Sequence, residues 1–160
     1  MMHKITGLSH SGFDVEDLDR TAEFYQRVLG AQLKWRADTE KVSAIKLYVG
    51  DLGLSVLQRK SGEPRPEIPH AIHFAYKVAP EQAEDCISYI KSCGVEVEGP
   101  VGHVREPENV SWFFLDPDDY RLEIEAHYDT AEQAADVVAR GKQDRREDMG
   151  LYGGDAVLKT

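Results

Sequence analysis

The stretch LSHSGFDVEDLDRTAEFYQRVLG, residues 8–30, changes its hydrophobic period once, and that change decides the fold. Up to Val15 apolar and polar residues alternate as they do in a half-buried strand, an alternation that begins at Ile5. Glu16-Asp17 breaks the pattern, and Asp17 is a good helix N-cap because its carboxylate accepts from free backbone N–H groups. Leu18, Ala22, Tyr25, Val28 and Leu29 then fall on one face at helical spacing, and Gly30 stands where a helix C-terminus favours glycine. Three strands are expected next, over residues 31–37, 42–49 and 54–59, with the turn-rich Gly50-Asp51-Leu52-Gly53 joining the last two.

The same order returns in the second half. Residues 71–78 alternate as a strand, and Pro80 opens a helix at a position proline tolerates. Ala83, Cys86, Ile87 and Ile90 form its apolar stripe, and Gly94 ends it. Strands are expected over 95–97, 111–115 and 121–126, with Asp116-Pro117-Asp118-Asp119 as the turn between the last two. His73 lies 63 residues after His10, and Gly94 lies 64 after Gly30, so the two halves share a register. Each reads β-α-β-β-β, which is an α+β chain with module 1 over residues 4–59 and module 2 over 70–126. Residues 60–69 carry Pro64, Pro66 and Pro69 and read as a linker. Residues 127–160 are expected to form a C-terminal helix, centred on 129–140 with Ala131, Ala134, Ala135 and Val138 as its apolar face, and a charged tail.

Composition narrows the function classes. A chain of 160 residues, 41% hydrophobic and 30% charged, is long enough for one real core. Its 19 basic and 29 acidic residues leave a net charge of −10, which argues against nucleic-acid or membrane-surface partners, since both rest on neutralising phosphates. Cys86 and Cys93 are seven residues apart on one helix, about 10 Å, which is too far for a disulfide. Residues 1–8 contain no apolar signal core, and no apolar run is long enough to span a bilayer, so a soluble cytoplasmic protein is expected.

Six histidines are present, and two of them, His10 and His73, occupy equivalent positions of the duplicated strands. If the halves pack about a pseudo-twofold axis, both imidazoles can enter one cavity as metal ligands. Glu123 is the candidate third ligand. Alternation puts it with Glu125 on one face of the last strand, opposite Leu122 and Ile124. A carboxylate there is costly to bury unless it is paired or metal-bound. The other reading is a wet face on which both glutamates are solvated.

Three motifs in order resemble the vicinal oxygen chelate superfamily, the glyoxalase / bleomycin-resistance / extradiol-dioxygenase family. They are Leu8-Ser9-His10 leading to Asp17-Leu18-Asp19-Arg20-Thr21-Ala22-Glu23-Phe24-Tyr25 and Leu29-Gly30; His73-Phe74-Ala75-Tyr76-Lys77-Val78; and Phe114-Leu115-Asp116-Pro117-Asp118-Asp119-Tyr120-Arg121-Leu122-Glu123. The resemblance covers residues 4–126. It departs at Asp119, where the family turn has glycine; aspartate tolerates a left-handed turn better than most residues. It implies paired modules forming a cup-shaped mixed sheet, usually in a homodimer, around one divalent metal held by His10, His73 and Glu123. Two imidazoles and one carboxylate with open positions suit Fe(II) or Mn(II), and also accept Zn(II) or Ni(II).

The branch of the family is read from what is missing. Glyoxalase-type isomerases use a fourth carboxylate or amide ligand late in the first module, and Leu54-Ser55-Val56-Leu57-Gln58 contains no carboxylate. The leading expectation is therefore an extradiol-type dioxygenase acting on a small, oxygen-chelating, aromatic substrate. His103 and Tyr120 are its candidate acid/base and hydrogen-bonding groups, and Tyr48, Trp112, Phe114 and Arg121 its candidate substrate-binding residues. The alternatives are a glyoxalase-like lyase, a fosfomycin-type thiol transferase using Arg105, Ser111 and Arg121 around a phosphonate, and a metal-free drug-binding protein.

Overall fold

The structure, a computed structural model, describes residues 7–64, 67–69 and 71–143. The expected start of the first strand at Ile5, part of the linker, His3, His70 and the tail beyond Gln143 lie outside these residues. The chain forms two compact units. The first comprises the residues up to Ile72 together with Leu115–Tyr120, and the second comprises His73–Phe114 and the residues from Arg121 onward.

In the first unit, β1 (His10–Val15) leads to α1 (Leu18–Leu29), then β2 (Gln32–Asp38), β3 (Ser43–Val49) and β4 (Leu52–Gln58). Asp17 caps α1 as expected, its carboxylate accepting from the N–H groups of Asp19 and Arg20, and Gly30 ends the helix in the left-handed region at φ 64°. The strand order is β1-β4-β3-β2, with β1 parallel to β4 and the other pairs antiparallel. Phe13 and Val15 join Ile45, Leu47, Leu54 and Val56 in the core, together with Leu18, Ala22, Tyr25 and Val28 from α1. Alternation leaves the opposite sheet face to polar and small side chains.

The second unit repeats this. β5 (His73–Val78) is followed by a short 3-10 turn (Pro80–Gln82), α2 (Ala83–Ser92), β6 (Glu98–Gly102), β7 (Asn109–Leu115) and β8 (Arg121–His127). The order β5-β8-β7-β6 and the parallel β5/β8 pair copy the first sheet, which establishes the duplicated βαβββ architecture. One strand differs from expectation: residues 95–97 are not extended pairing, and the strand lies at Glu98–Gly102. The apolar Val95 and Val97 suggested a strand by composition, but the ladder partners on β7 begin at Glu98, opposite Phe113. α3 (Ala131–Gln143) packs along β6, burying Ala134 as expected and also Val137, with Val138 half-buried against Gly102, whereas Ala131 and Ala135 of the expected stripe are exposed.

The turn 115–120, although it joins two strands of the second sheet, belongs to the first unit and is held there by buried polar bonds. Asp116 Oδ1 accepts from the backbone N–H groups of Asp118 and Tyr120 at 2.9 Å each, and its Oδ2 accepts from the Tyr25 hydroxyl at 3.0 Å. Asp118, also buried, accepts from the Glu16 backbone N–H at 2.8 Å and from the Arg20 guanidinium at 3.1 Å. Asp119 takes the left-handed conformation at φ 59°, so aspartate does stand in for the glycine usual in such turns.

Two outcomes are expected from this anchor. Tyr25→Phe removes a donor from a buried carboxylate and should cost about 1–3 kcal/mol in urea unfolding. Burial pushes the Asp116 carboxyl from its ordinary 3.8 up to about 6, against hydrogen bonds from Tyr120, Tyr25 and Asp118 that pull it down. The folded state then binds this proton more tightly than the unfolded chain. Its stabilising contribution is full below about pH 4 and is lost as pH rises through about 6, on the order of 3 kcal/mol. Asp116→Asn keeps the shape and should flatten that part of a melting-temperature profile; an unchanged profile would mean that Asp116 does not titrate there.

Candidate functional site

The candidate ligands of the second unit meet as neighbours on one sheet face. β5 and β8 run parallel with His73 opposite Arg121 and Ala75 opposite Glu123. His73 reaches diagonally across the pair, and its Nε2 lies 2.9 Å from Glu123 Oε2. Glu123 is only 5% exposed, so the wet-face reading does not hold for it. Glu125, two residues on, is half-buried and accepts from Asn109 Nδ2 at 2.8 Å, a structural bond. A carboxylate buried beside an imidazole is a two-donor arrangement that fits a divalent cation, which would replace the shared proton or charge as partner.

Around this pair, the Phe113 ring stands edge-on to His73 at 6.5 Å and lies under the Arg121 guanidinium at 4.0 Å. His103, just past β6, hydrogen-bonds Ser111 Oγ through Nε2 at 2.8 Å. Arg121, Phe113, Ser111 and His103 therefore belong with the His73–Glu123 pair on the second sheet.

Three sequence expectations are corrected. Trp112 and Phe114 are each 4% exposed and sit on the opposite face of β7 from Ser111 and Phe113, so they are core, not substrate surface. The parity of β7 follows from Phe113 facing His73, and sequence reading chose the two aromatics of the opposite phase. Tyr120 is buried in the first unit, and its hydroxyl donates to the Asp14 carbonyl at 2.9 Å. Its ring packs on Phe13 at 4.8 Å, and burial, then the bonded Asp14 carboxylate, pushes its hydroxyl up to about 12. It braces the turn and is a poor proton donor near neutral pH.

The first sheet carries its own polar face. His10 opposes Gly53, Gly53 opposes Tyr48, Gly12 opposes Ser55, and Ser55 opposes Lys46. The face thus presents His10, Lys46, Tyr48 and Ser55. Ser9 Oγ bonds His10 Nδ1 at 2.8 Å, and Lys46 Nζ donates to Ser55 Oγ at 2.9 Å. Tyr48, an expected substrate contact, is 36% exposed, with the Lys46 ammonium 5.7 Å from its ring centre. Lys46 was missed by sequence reading, although its place between buried Ile45 and Leu47 signals its orientation by alternation alone. Among the described residues no group of three His, Cys, Asp or Glu side chains gathers closely enough to hold a metal; His73 and Glu123 are together, and His10 stands on the other unit.

Comparison with known proteins supports the same architecture. The chain is 28% identical over 125 residues to the fosfomycin resistance protein FosX of Listeria innocua, covering 76% of this chain and 90% of that one. It is 26% identical over 122 residues to the metallothiol transferase FosB of Staphylococcus haemolyticus, covering 75% and 83%. Among solved structures, a mutant of FosX from Listeria monocytogenes complexed with Mn(II) and 1S,2S-dihydroxypropylphosphonic acid superposes with a TM-score of 0.61 at 26% identity, covering 82% of this chain and 96% of that one. These relatives favour the fosfomycin-type alternative over extradiol oxygenation. No helix among the described residues is long and apolar enough to cross a membrane. The model of the Glyoxalase/Bleomycin resistance protein/Dioxygenase superfamily matches residues 7–124. With that match and two copies of the βαβββ sheet, the chain belongs to this family, the vicinal oxygen chelate superfamily.

Proposed function

We propose that the protein is a metal-dependent enzyme of the fosfomycin-resistance type, which opens the strained ring of a small epoxyphosphonate by adding a nucleophile. The observation that carries this reading is the buried Glu123 carboxylate bonded by His73, in a chain whose relatives include a FosX held with Mn(II) and a dihydroxyphosphonate. His73 and Glu123, paired on the second sheet, and His10, supplied by the first module of the same chain or of a second copy, are the proposed metal ligands. When bound, a divalent metal supplies Lewis acidity toward the ring oxygen, and this nitrogen-and-oxygen donor set suits Mn(II) or Fe(II) and also accepts Zn(II) or Ni(II).

The rest of the chemistry falls to the chain. A thiol nucleophile forms a C–S bond as a ring C–O bond breaks; the ring oxygen keeps that electron pair and takes up one proton, matching in the balance the one the thiol gives up, to end as a hydroxyl. The thiol proton must go to a base, and His103, oriented by Ser111, is the proposed acceptor. Thiol addition follows the FosB relatives, whereas water addition leaves a diol of the kind held by the Listeria FosX. Arg121 stacked on Phe113 is the proposed substrate contact in the second module. The working form is proposed to be a homodimer. β2 is an edge strand with Trp35 48% and Leu33 44% exposed, an edge that a second copy can cover. Light scattering should then give twice the 18.0 kDa chain mass.

Incubation with fosfomycin, Mn(II) and a small thiol, followed by phosphorus NMR, should convert the epoxide signal to a thioether adduct, or to the diol when water is the nucleophile. No conversion with any divalent metal would overturn the assignment. Elemental analysis should find about one metal per chain in the wild type, with affinity at least about tenfold weaker in Glu123→Ala and in the better-folding Glu123→Gln. His103→Ala should lower kcat by about a hundredfold with metal content unchanged.

A further inference from the structure

The two sheets are copies, and their registers identify which residues occupy equivalent places. His10 lies opposite Gly53 in the first sheet as His73 lies opposite Arg121 in the second. Two residues further along the partner strands stand Ser55 and Glu123. Ser55 is therefore the counterpart of the buried carboxylate. Where the second sheet pairs a carboxylate with an imidazole, the first pairs a hydroxyl with an ammonium, Ser55 Oγ with Lys46 Nζ at 2.9 Å.

The position of Lys46 is enforced by the sheet. Gly53 has no side chain, and a Cβ there would meet Lys46 Nζ at 3.0 Å, Lys46 Cε at 3.1 Å and the His10 Cβ at 3.4 Å. The glycine opens the lane through which the ammonium lies beside His10. Lys46 is half-buried, and among the described residues it forms no ion pair; Ser55 and the face of Tyr48 are its polar neighbours. An ammonium drawn partly out of water with a hydroxyl but no carboxylate beside it is under-neutralised. Its two remaining protons and the Ser55 hydroxyl form a donor set suited to a tetrahedral oxyanion.

We propose that Lys46 and Ser55 are the seat for the phosphonate head of the substrate, a binding role that rests on the epoxyphosphonate reading above. The duplicated sheet has thus diverged into two functions: in one copy the site presents a carboxylate toward a cation, and in the other a cation toward an anion. The same arrangement makes Lys46 a specificity determinant. A neutral epoxide of the same skeleton lacks the partner that the ammonium requires and should be turned over poorly.

The test uses methylphosphonate, which carries the anionic head and no epoxide. Its binding to the full chain is measured by calorimetry and phosphorus NMR, with and without Mn(II). Lys46→Met should weaken it by about ten- to a hundredfold, Lys46→Arg should retain it within a few-fold, and Ser55→Ala should weaken it a few-fold. Metal stoichiometry and the circular dichroism spectrum should match wild type in all three. Ser55→Ala removes one hydroxyl and serves if Lys46→Met fails to fold. Undiminished binding in the folded Lys46→Met, or in Ser55→Ala where it stands in, would overturn the proposal, as would a wild type that does not bind methylphosphonate. A wild type that binds methylphosphonate through Lys46 yet leaves fosfomycin unopened would keep the seat and remove the epoxide-opening reading.

Discussion

A carboxylate buried on a β-sheet requires a proton or a positive partner, and Glu123 is the point at which this chain meets that requirement. Desolvating the charge costs several kcal/mol, and strand alternation in β8 offers the glutamate no route to water without turning Leu122 and Ile124 out of the core. The partner must come from the neighbouring strand. β5 supplies it because the parallel register brings His73 within a diagonal step of Glu123. The alternation that buries Glu123 also aligns Arg121 on the same face and selects Phe113 and Ser111 on β7. The chemistry of the second sheet is thus a consequence of one register.

The same reasoning separates structural polar groups from functional ones. Asp116 and Asp118 are as buried as Glu123, but each accepts several short bonds from groups of its own unit, among them backbone N–H donors at the turn. They lock the 115–120 segment, and Tyr120 completes the lock through Asp14. Lys46 is the opposite case. Its hydroxyl and aromatic neighbours leave its charge unbalanced, which is how a binding residue differs from a brace.

Much of the fold was legible because the repeat is written in features with local causes. Asp17 and Gly30 mark the ends of α1 through capping chemistry, and the His10/His73 spacing sets the two copies in register. Glu123 was legible through alternation plus the cost of burying it. The errors arose where aromatic character was weighed above phase. Trp112 and Phe114 are aromatic and were assigned to substrate, whereas their parity places them in the core and puts Ser111 and Phe113 on the opposite face. Lys46 was passed over although alternation sets its orientation; its pairing with Ser55 runs across strands and depends on the turn at Gly50-Asp51, which a window of either strand alone does not show. The strand at residues 98–102 was displaced for a related reason: its partner on β7, not its own composition, sets where pairing begins.

Electron spin-echo spectroscopy of the Mn(II)-loaded protein tests the metal centre most directly. The account predicts a bound Mn(II) signal modulated by two imidazole nitrogens, from His10 and His73, with one of the two couplings lost in each single His→Ala variant. A signal that stays that of hydrated Mn(II) at saturating protein, with no nitrogen coupling, would contradict it.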